Sequence, residues 1–229
     1  MKLTHWLTLA IFCAVTPLCA ADDLEFFTHL IDSFPKPAEK EFSTPESVVR
    51  AYMQAIIDGR TKDTFKCVPL SKMFATQTVE NQIHYVGDRW EPSMGPPDDY
   101  YKRFIKVIEG HFKTVTTCRY ALLGMADESR ATLMEKSQSP SDRSPSAVAD
   151  WLKDLSAKIS LSNLSTLKIS SVEAHKKSNE YKYLGVLAFT EVHNVTAFIK
   201  IRDTDVDFNV LVGMLDGNYQ IIDFLNLPR

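Results

Sequence analysis

The sequence predicts an α+β domain in which N-terminal helices pack on a curved antiparallel sheet. Two observations carry this prediction. Apolar residues recur at helical spacing in the first half of the chain. β-branched and aromatic residues dominate from residue 167 onward, between segments typical of turns. Helices first and strands last are typical of α+β folds, in which the helices gather on one side of the sheet.

The helix with the clearest boundaries starts after Thr44, a capping residue, with Pro45 in its first turn, and it ends at Gly59. Its apolar positions fall on one stripe, which comprises Val48, Val49, Tyr52, Met53 and Ile56. Pro35 ends an earlier helix that is predicted over residues 24–34. Further helices are predicted near 62–67, around 73–74 and over 101–110, where Gly110 marks the end.

From Thr114 onward the apolar residues alternate, which predicts strands over 115–122 and 131–134. A Ser/Pro-rich loop then leads to a helix that Ser144 caps and that is apolar on one face through Ile159. We interpret this helix as an insertion, and we hypothesise that it covers a pocket as a lid. Five strands are predicted after it, over 167–172, 181–192, 195–202, 206–215 and 219–225, with Asp216-Gly217 as a hairpin turn.

The first 21 residues have the pattern of a secretory signal peptide. Lys2 precedes an apolar run from Trp6 to Val15, and small residues follow up to Ala20 and Ala21. The run is shorter than the about 20 apolar residues that a membrane span needs. We therefore expect cleavage near residue 21, a secreted or periplasmic location, and no stable membrane insertion afterwards. An uncleaved membrane anchor is the alternative.

Two cysteines, Cys67 and Cys118, would remain after cleavage. Exported proteins meet an oxidising compartment, in which two remaining thiols can pair. A bridge that closes a loop of about 50 residues stabilises the folded state by about 4 kcal/mol in the loop-entropy treatment. We therefore predict a Cys67–Cys118 disulfide. Two buried free thiols are the alternative, because free cysteine is common in protein cores.

Charge and length limit the function classes. The chain carries 26 basic and 29 acidic residues, a net charge of −3. This balance argues against a general affinity for nucleic acid or for anionic membranes. The length fits a single domain with an insertion. We predict a signal peptide at 1–21, a helix and linker at 22–42, and one α+β domain at 43–229 with an insertion at about 138–165.

Two segments resemble the NTF2-like superfamily, the cystatin-like α+β cone. The segment that begins TPESVVRAY at Thr44 resembles the first family helix, and the segment 210–223, which contains DGNYQIID, resembles the last hairpin. The resemblance implies a curved antiparallel sheet that wraps around the helices and leaves a conical pocket. Family members include isomerases, dehydratases, epoxide hydrolases, non-catalytic binding modules and secretion-system components. No family site aligns with residues of this chain.

Two Glu-x-His pairs raise the question of a metal site. Glu173 and His175 form one pair, Glu191 and His193 the other, and zinc accepts such a ligand set. A turn predicted at 178–179 would keep the pairs apart, so we interpret them as polar residues on an exposed sheet face. We expect neither a metal nor another cofactor.

Acid–base candidates lie around the helix predicted over 101–110, and they are Asp99, Tyr100, Tyr101 and His111. Tyr52 and Trp90 are candidates to line a pocket. The sequence contains neither a Gly-x-Ser-x-Gly segment nor a phosphate-binding glycine-rich loop nor His-Glu-x-x-His. Asn163 and Asn194 fit the glycosylation acceptor pattern, which is too short to support a prediction alone.

These observations predict an exported non-catalytic module that binds a small ligand or an envelope protein. One alternative is an envelope enzyme of the isomerase, dehydratase or hydrolase type, and another is an inhibitor or immunity-type protein. A cavity that holds one buried carboxylate or histidine would favour the enzyme. A cone filled by Tyr52, Phe104 and the aromatic residues of the sheet would favour the module, and an exposed apolar patch the inhibitor.

Overall fold

A computed structural model describes residues 20–78, 81, 100–123, 142, 144–160, 164, 166–201 and 204–226. In these residues it has helices followed by one open four-stranded antiparallel sheet, which confirms the predicted α+β class. The predicted signal peptide, apart from Ala20 and Ala21, lies outside the described residues, as does the strand predicted over 131–134. The described helices are α1 (Ala20–Asp32), α2 (Pro45–Ile57), α3 (Thr61–Thr64), α4 (Leu70–Thr76), α5 (Tyr100–Leu123) and α6 (Pro145–Ser160), with a 3₁₀ turn at Phe65–Cys67.

Helix α2 has the boundaries that its sequence predicts. The Thr44 hydroxyl oxygen accepts a hydrogen bond from the Ser47 amide at 3.2 Å, and the Ser47 hydroxyl oxygen accepts one from the Thr44 amide at 3.3 Å. This reciprocal pair satisfies amides that the first helical turn leaves without partners. Gly59 follows the helix with φ of 71°, a conformation that favours glycine. The predicted apolar stripe is fully buried in the core.

Helix α5 corrects two predictions. It does not end at Gly110 but continues to Leu123, so the predicted strand over 115–122 was wrong. The buried residues of this stretch follow helical spacing, and they include Phe104, Ile108, Phe112, Val115, Cys118 and Leu122. A glycine inside a helix costs only about 1 kcal/mol relative to alanine, which the burial of these side chains outweighs.

The sheet contains four strands, β1 (Lys168–Tyr183), β2 (Leu187–Ile201), β3 (Thr204–Leu215) and β4 (Asn218–Asn226), paired in sequence order. The prediction of five strands was wrong at the first hairpin. The chain turns at Leu184 and Gly185, which have φ of 49° and 73°, and not at 178–179. Residues 177–179 stay within β1, where a register shift between Lys176 and Ser178 absorbs the irregularity.

The β3–β4 hairpin forms as predicted and anchors the linker that precedes α2. Asp216 and Gly217 make the turn, both with positive φ. The Asn218 side chain accepts a hydrogen bond from the Phe42 amide at 2.9 Å and donates one to the Ala38 carbonyl at 3.1 Å. Because Phe42 is also buried in the core, these contacts hold the linker against the sheet.

Helix α6 belongs to the core, although the sequence suggests a lid. Ser144 caps it, as predicted, and accepts a long hydrogen bond from the Ala147 amide at 3.4 Å. Val148 is fully buried and Trp151 is 9% exposed, and both join the main core beside α3 and α5. Among the described residues, no helix combines the length and the apolar character that a membrane span requires.

Candidate functional site

A cavity of about 340 Å³ lies between α2, α4, α5, the end of β1 and strand β4. This volume is at the lower end of the range for small-molecule sites, about 300–1,000 Å³. About half of the wall is apolar, and this part includes Val68, Leu70, Met73, Val107, Ile221 and Phe224. Tyr52 and His111, which both carry polar groups, also line the cavity. The cavity is therefore the candidate functional site.

His111 contributes a neutral imidazole of defined tautomer. Its Nε2 lies 2.8 Å from the hydroxyl oxygen of Thr64, which in turn donates to the Thr61 carbonyl at 2.5 Å. Because the Thr64 proton is used in that bond, the Thr64 oxygen accepts from His111 Nε2–H. The other ring nitrogen, Nδ1, is then an unprotonated acceptor. Burial lowers the pKa of His111 to about 3, so the ring is uncharged at neutral pH.

Tyr52 contributes a buried hydroxyl. The side chain is fully buried, and its oxygen has no hydrogen-bond partner among the described residues. Its ring lies edge-on to the His111 ring, with 6.1 Å between the ring centres. Burial, with smaller contributions from the nearby Cys118 and Cys67 thiols, raises the pKa of Tyr52 well above its usual value. The hydroxyl therefore stays protonated, and its proton is not used in a bond to any described residue.

The exposed residues among the cavity lining, Lys106, Gly110 and Asp223, mark the mouth of the cavity. Lys106 and Asp223 are exposed there, with opposite charges. Gln77 donates a hydrogen bond from its Nε2 to the Tyr183 hydroxyl at 3.2 Å, which joins α4 to the end of β1. Gly110 also lines the cavity, and a Cβ atom added to it would have no other atom within 4 Å. The mouth thus has space that a larger side chain would fill.

This arrangement suits binding better than proton transfer. A general base works best when its pKa lies near the working pH, and a pKa of about 3 makes His111 a weak base. Tyr52 is a weak acid for the opposite reason. Both groups are uncharged and can form hydrogen bonds with a ligand in a cavity whose wall is part apolar and part polar. A charged ligand group beside Tyr52 and His111 would lose its hydration without an ionised partner next to it, because the ionised side chains of the lining, Lys106 and Asp223, are the exposed ones.

A second cavity, also of about 340 Å³, lies between the linker that follows α1 and the β3–β4 hairpin. It shares Val68 and Leu70 with the first cavity. Gln220 brings to it a buried oxygen that has no hydrogen-bond partner among the described residues. The first cavity is the stronger candidate because the Tyr52 hydroxyl, which has no described partner, and the His111 imidazole line it from facing helices.

The predicted disulfide is not formed. Cys67 and Cys118 are both free and buried, in the 3₁₀ turn and in α5 respectively. The Cys67 sulfur is directed at the Asp63 carbonyl oxygen of its own turn, 3.9 Å away. Each side chain packs into the main core as a small apolar group. Burial also raises the pKa of both thiols, which makes neither a suitable nucleophile.

The two Glu-x-His pairs do not converge. In the β1–β2 register His175 pairs with Asn194, while His193 pairs with Lys176. Neighbouring positions of a strand point to opposite faces, so the two histidines lie on opposite faces of the sheet. Glu191, in a bulge of β2 with φ of 47°, instead accepts a hydrogen bond from a tyrosine of β4, Tyr219, at 2.6 Å. Among the described residues, no group of three or more metal-ligating side chains is present.

Of the remaining candidates whose side chains the structure describes, His111 and Tyr52 line the cavity and Tyr101 does not. Tyr101 is buried against Phe27, with 5.8 Å between the ring centres. Tyr100 starts α5, with its side chain outside the described set, and Asp99 and Trp90 lie outside the described residues. Sequence reasoning missed the partner residues Thr64, Gln77 and Tyr183. No sequence pattern identifies them, because each acts across a long separation along the chain.

Comparison with protein-family models, with curated proteins and with solved structures gives no match for this chain. The functional conclusion therefore depends on the cavity and on the residues that line it.

Proposed function

We propose that this chain is an exported, non-catalytic NTF2-like module that binds a small, mostly apolar molecule in the cavity between α2, α5 and the sheet. The observation that carries the proposal is the Tyr52 hydroxyl, which is buried in the cavity wall without a partner among the described residues. A buried hydroxyl that lacks a hydrogen bond costs about 1–3 kcal/mol. A bound ligand that supplies the missing bond would recover this cost.

Element order supports the NTF2-like part of the proposal. A capped helix at Thr44 opens the domain, an antiparallel sheet follows, and the hairpin at Asp216-Gly217 closes it. In that family the pocket lies between the helices and the concave side of the sheet. The cavity of this chain is likewise bounded by α2, α5 and the sheet.

Blocking the cavity at Gly110 tests the proposal. Methylnaphthalene and naphthol, substituted at the same ring position, serve as small neutral fluorescent probes. We expect the wild-type protein to bind at least one of them, and Gly110→Phe to weaken that binding by about tenfold or more because the ring fills the mouth. Gly110→Ala is the matched control, since it adds one methyl group in open space and should bind like the wild type.

Both variants should remain folded, because alanine and phenylalanine are better helix formers than glycine. Thermal unfolding of each variant checks this point. Failure of the wild-type protein to bind either probe would overturn the proposal. Equal binding by Gly110→Phe and Gly110→Ala would also overturn it, because the probe would then occupy another place.

Catalysis in the same cavity is the second candidate, because a buried histidine lies next to a tyrosine there. The pKa of about 3 for His111 disfavours it, as does the neutral state of Tyr52. Turnover of a ligand recovered from the protein would decide the matter. If His111→Gln abolished turnover and left ligand binding unchanged, the protein would be an enzyme and not a non-catalytic binding module.

A protein partner has less support on the described surface. The large hydrophobic residues exposed there are Val186, at 45%, and Leu225, at 40%. Val186 lies in the β1–β2 turn and Leu225 near the end of β4, so they do not form one patch of the kind that marks an interface. The inhibitor or immunity-type alternative therefore lacks a surface among these residues.

The proposal includes export from the cytoplasm, which the signal-peptide pattern of residues 1–21 supports. Mass spectrometry of the protein recovered from its producing cells tests it. We expect a mature chain that starts near residue 22. A full-length chain in the cytosolic fraction would contradict export and leave the cavity binding proposal standing.

A further inference from the structure

We infer that the cavity selects a neutral ligand that carries a hydroxyl group, with Tyr52 donating a hydrogen bond to that oxygen and His111 Nδ1 accepting its proton. The inference rests on the proposed cavity binding and narrows the ligand to apolar alcohols and phenols. A hydroxyl is the smallest group that accepts one hydrogen bond and donates another. It therefore satisfies both polar groups with a single atom.

The role of His111 Nδ1 as hydrogen-bond acceptor follows from the hydrogen bonds that the other ring nitrogen and Thr64 make. The Thr61 carbonyl oxygen accepts a hydrogen bond from the Thr64 hydroxyl, and the Thr64 hydroxyl oxygen accepts one from His111 Nε2–H. Every proton in these bonds is assigned, which leaves the lone pair of Nδ1 for a donor in the cavity. Thr64 is fully buried, so water does not compete for its bonds. Thr64 is thus a positioning residue for the His111 tautomer.

The hydrogen-bond donor comes from the facing helix. Tyr52 lies on α2 and His111 on α5, and the two rings pack edge to face with 6.1 Å between their centres. The Tyr52 oxygen has no partner among the described residues, so its bond to His111 Nδ1 is not made within the protein. One ligand oxygen placed between the two side chains would satisfy both groups.

The surroundings set the remaining chemistry of the ligand. Apolar side chains such as Met73, Val107 and Phe224 line the same cavity. Charged side chains occur at the exposed mouth, as Lys106 and Asp223. A carboxylate or an ammonium group at the Tyr52–His111 position would be buried without a counter-charge, which is costly. Hydrocarbons would leave both protein groups unpaired.

A matched pair of probes tests the inference. The wild-type protein should bind naphthol about tenfold or more tightly than methylnaphthalene, the difference that one or two net hydrogen bonds produce. In Tyr52→Phe the preference should fall to about threefold or less, with methylnaphthalene binding unchanged. This variant should fold, because it removes only a buried hydroxyl that has no described partner.

Nitrogen-15 NMR of protein labelled at its histidines shows which ring nitrogen of His111 carries the proton and whether Nδ1 accepts a hydrogen bond. At neutral pH we expect the proton of His111 on Nε2, and we expect naphthol, but not methylnaphthalene, to shift the Nδ1 resonance. Thr64→Val should weaken the tautomer preference. A proton on Nδ1, or equal affinity of the wild-type protein for both probes, would overturn the inference while leaving cavity binding intact. Failure to bind either probe would instead overturn the proposed function.

Discussion

At the scale of single residues, the site depends on side chains that meet through the fold. Thr64 and His111 are 47 positions apart, yet their contact decides which nitrogen of the imidazole carries the proton. Arg119 makes a comparable long-range contact. Its guanidinium donates a hydrogen bond to the Ile56 carbonyl in the last turn of α2, where the helix dipole favours a positive charge. Arg119 thereby holds α5 against the end of α2.

Replacing Arg119 should lower stability. Arg119→Met keeps much of the side-chain volume but removes the donor, so the Ile56 carbonyl loses a charged partner inside the core. We expect the free energy of unfolding to fall by about 1–3 kcal/mol, measured by urea denaturation. Lys113→Met, an exposed position on the same helix, is the control and should leave it unchanged. Equal stability of both variants would contradict the role of Arg119.

At the scale of elements, α5 shows how packing extends a helix through a residue that normally weakens one. Gly110 lies inside α5, and Thr114, Val115, Thr116 and Thr117 follow it. β-branched residues favour strands when local preference alone decides. In the folded chain the buried stripe on α5 packs against α1, α2, α4 and α6, which stabilises the helical form. Gly110 also leaves the cavity mouth open, since it has no side chain.

Helix α6 offers a test of core against lid. Val148→Ala should lower the free energy of unfolding by about 1–3 kcal/mol, because it removes fully buried methyl groups. Probe affinity should stay the same, since the cavity is not lined by described residues of α6. Asp150→Ala, at an exposed position of α6, is the control and should change neither quantity. A variant with unchanged stability and altered probe binding would restore the lid hypothesis.

At the scale of the whole molecule, the larger of two apolar clusters among the described residues joins α1, α2, α4, α5 and α6 to the sheet. His111 is buried within it, packed near the rings of Phe65 and Phe112. Because burial holds its pKa at about 3, the unfolded chain takes up a proton on this side chain at a much higher pH than the folded chain. The unfolded state therefore binds more protons between about pH 3 and pH 6.5, and acid favours it there.

Acid should destabilise the wild-type protein more than a variant without this histidine. His111→Gln keeps a donor for Thr64 but does not titrate. We expect the stability difference between wild type and variant to shift by up to about 1.4 kcal/mol per pH unit, in favour of the variant, as the pH falls below 6.5. Urea denaturation at pH 7, 5.5 and 4.5 measures this shift. Parallel pH profiles would show that His111 is not buried as a neutral group.

Much of the local structure could be predicted from the sequence, because local interactions decide it. The α2 boundaries depend on Thr44, Pro45 and Gly59, which act within a few residues of themselves. The hairpin at Asp216-Gly217 depends on two residues that accept positive φ. The α+β class follows from the order of such elements, and it was confirmed. Tyr52 and His111 were also recognised as candidates, but without partners or roles.

The sequence by itself thus determined the α2 boundaries, the Asp216-Gly217 turn and the fold class, whereas only the tertiary structure decided the length of α5, the β1–β2 turn and register, and the site. Burial of the stripe around Gly110 continued the helix, and pairing with β2 carried β1 past 178–179 to Tyr183. Thr64 gained its role only when α3 packed beside α5. The physical reason is the same in each case, since desolvation and pairing across the core depend on residues that are distant in the chain.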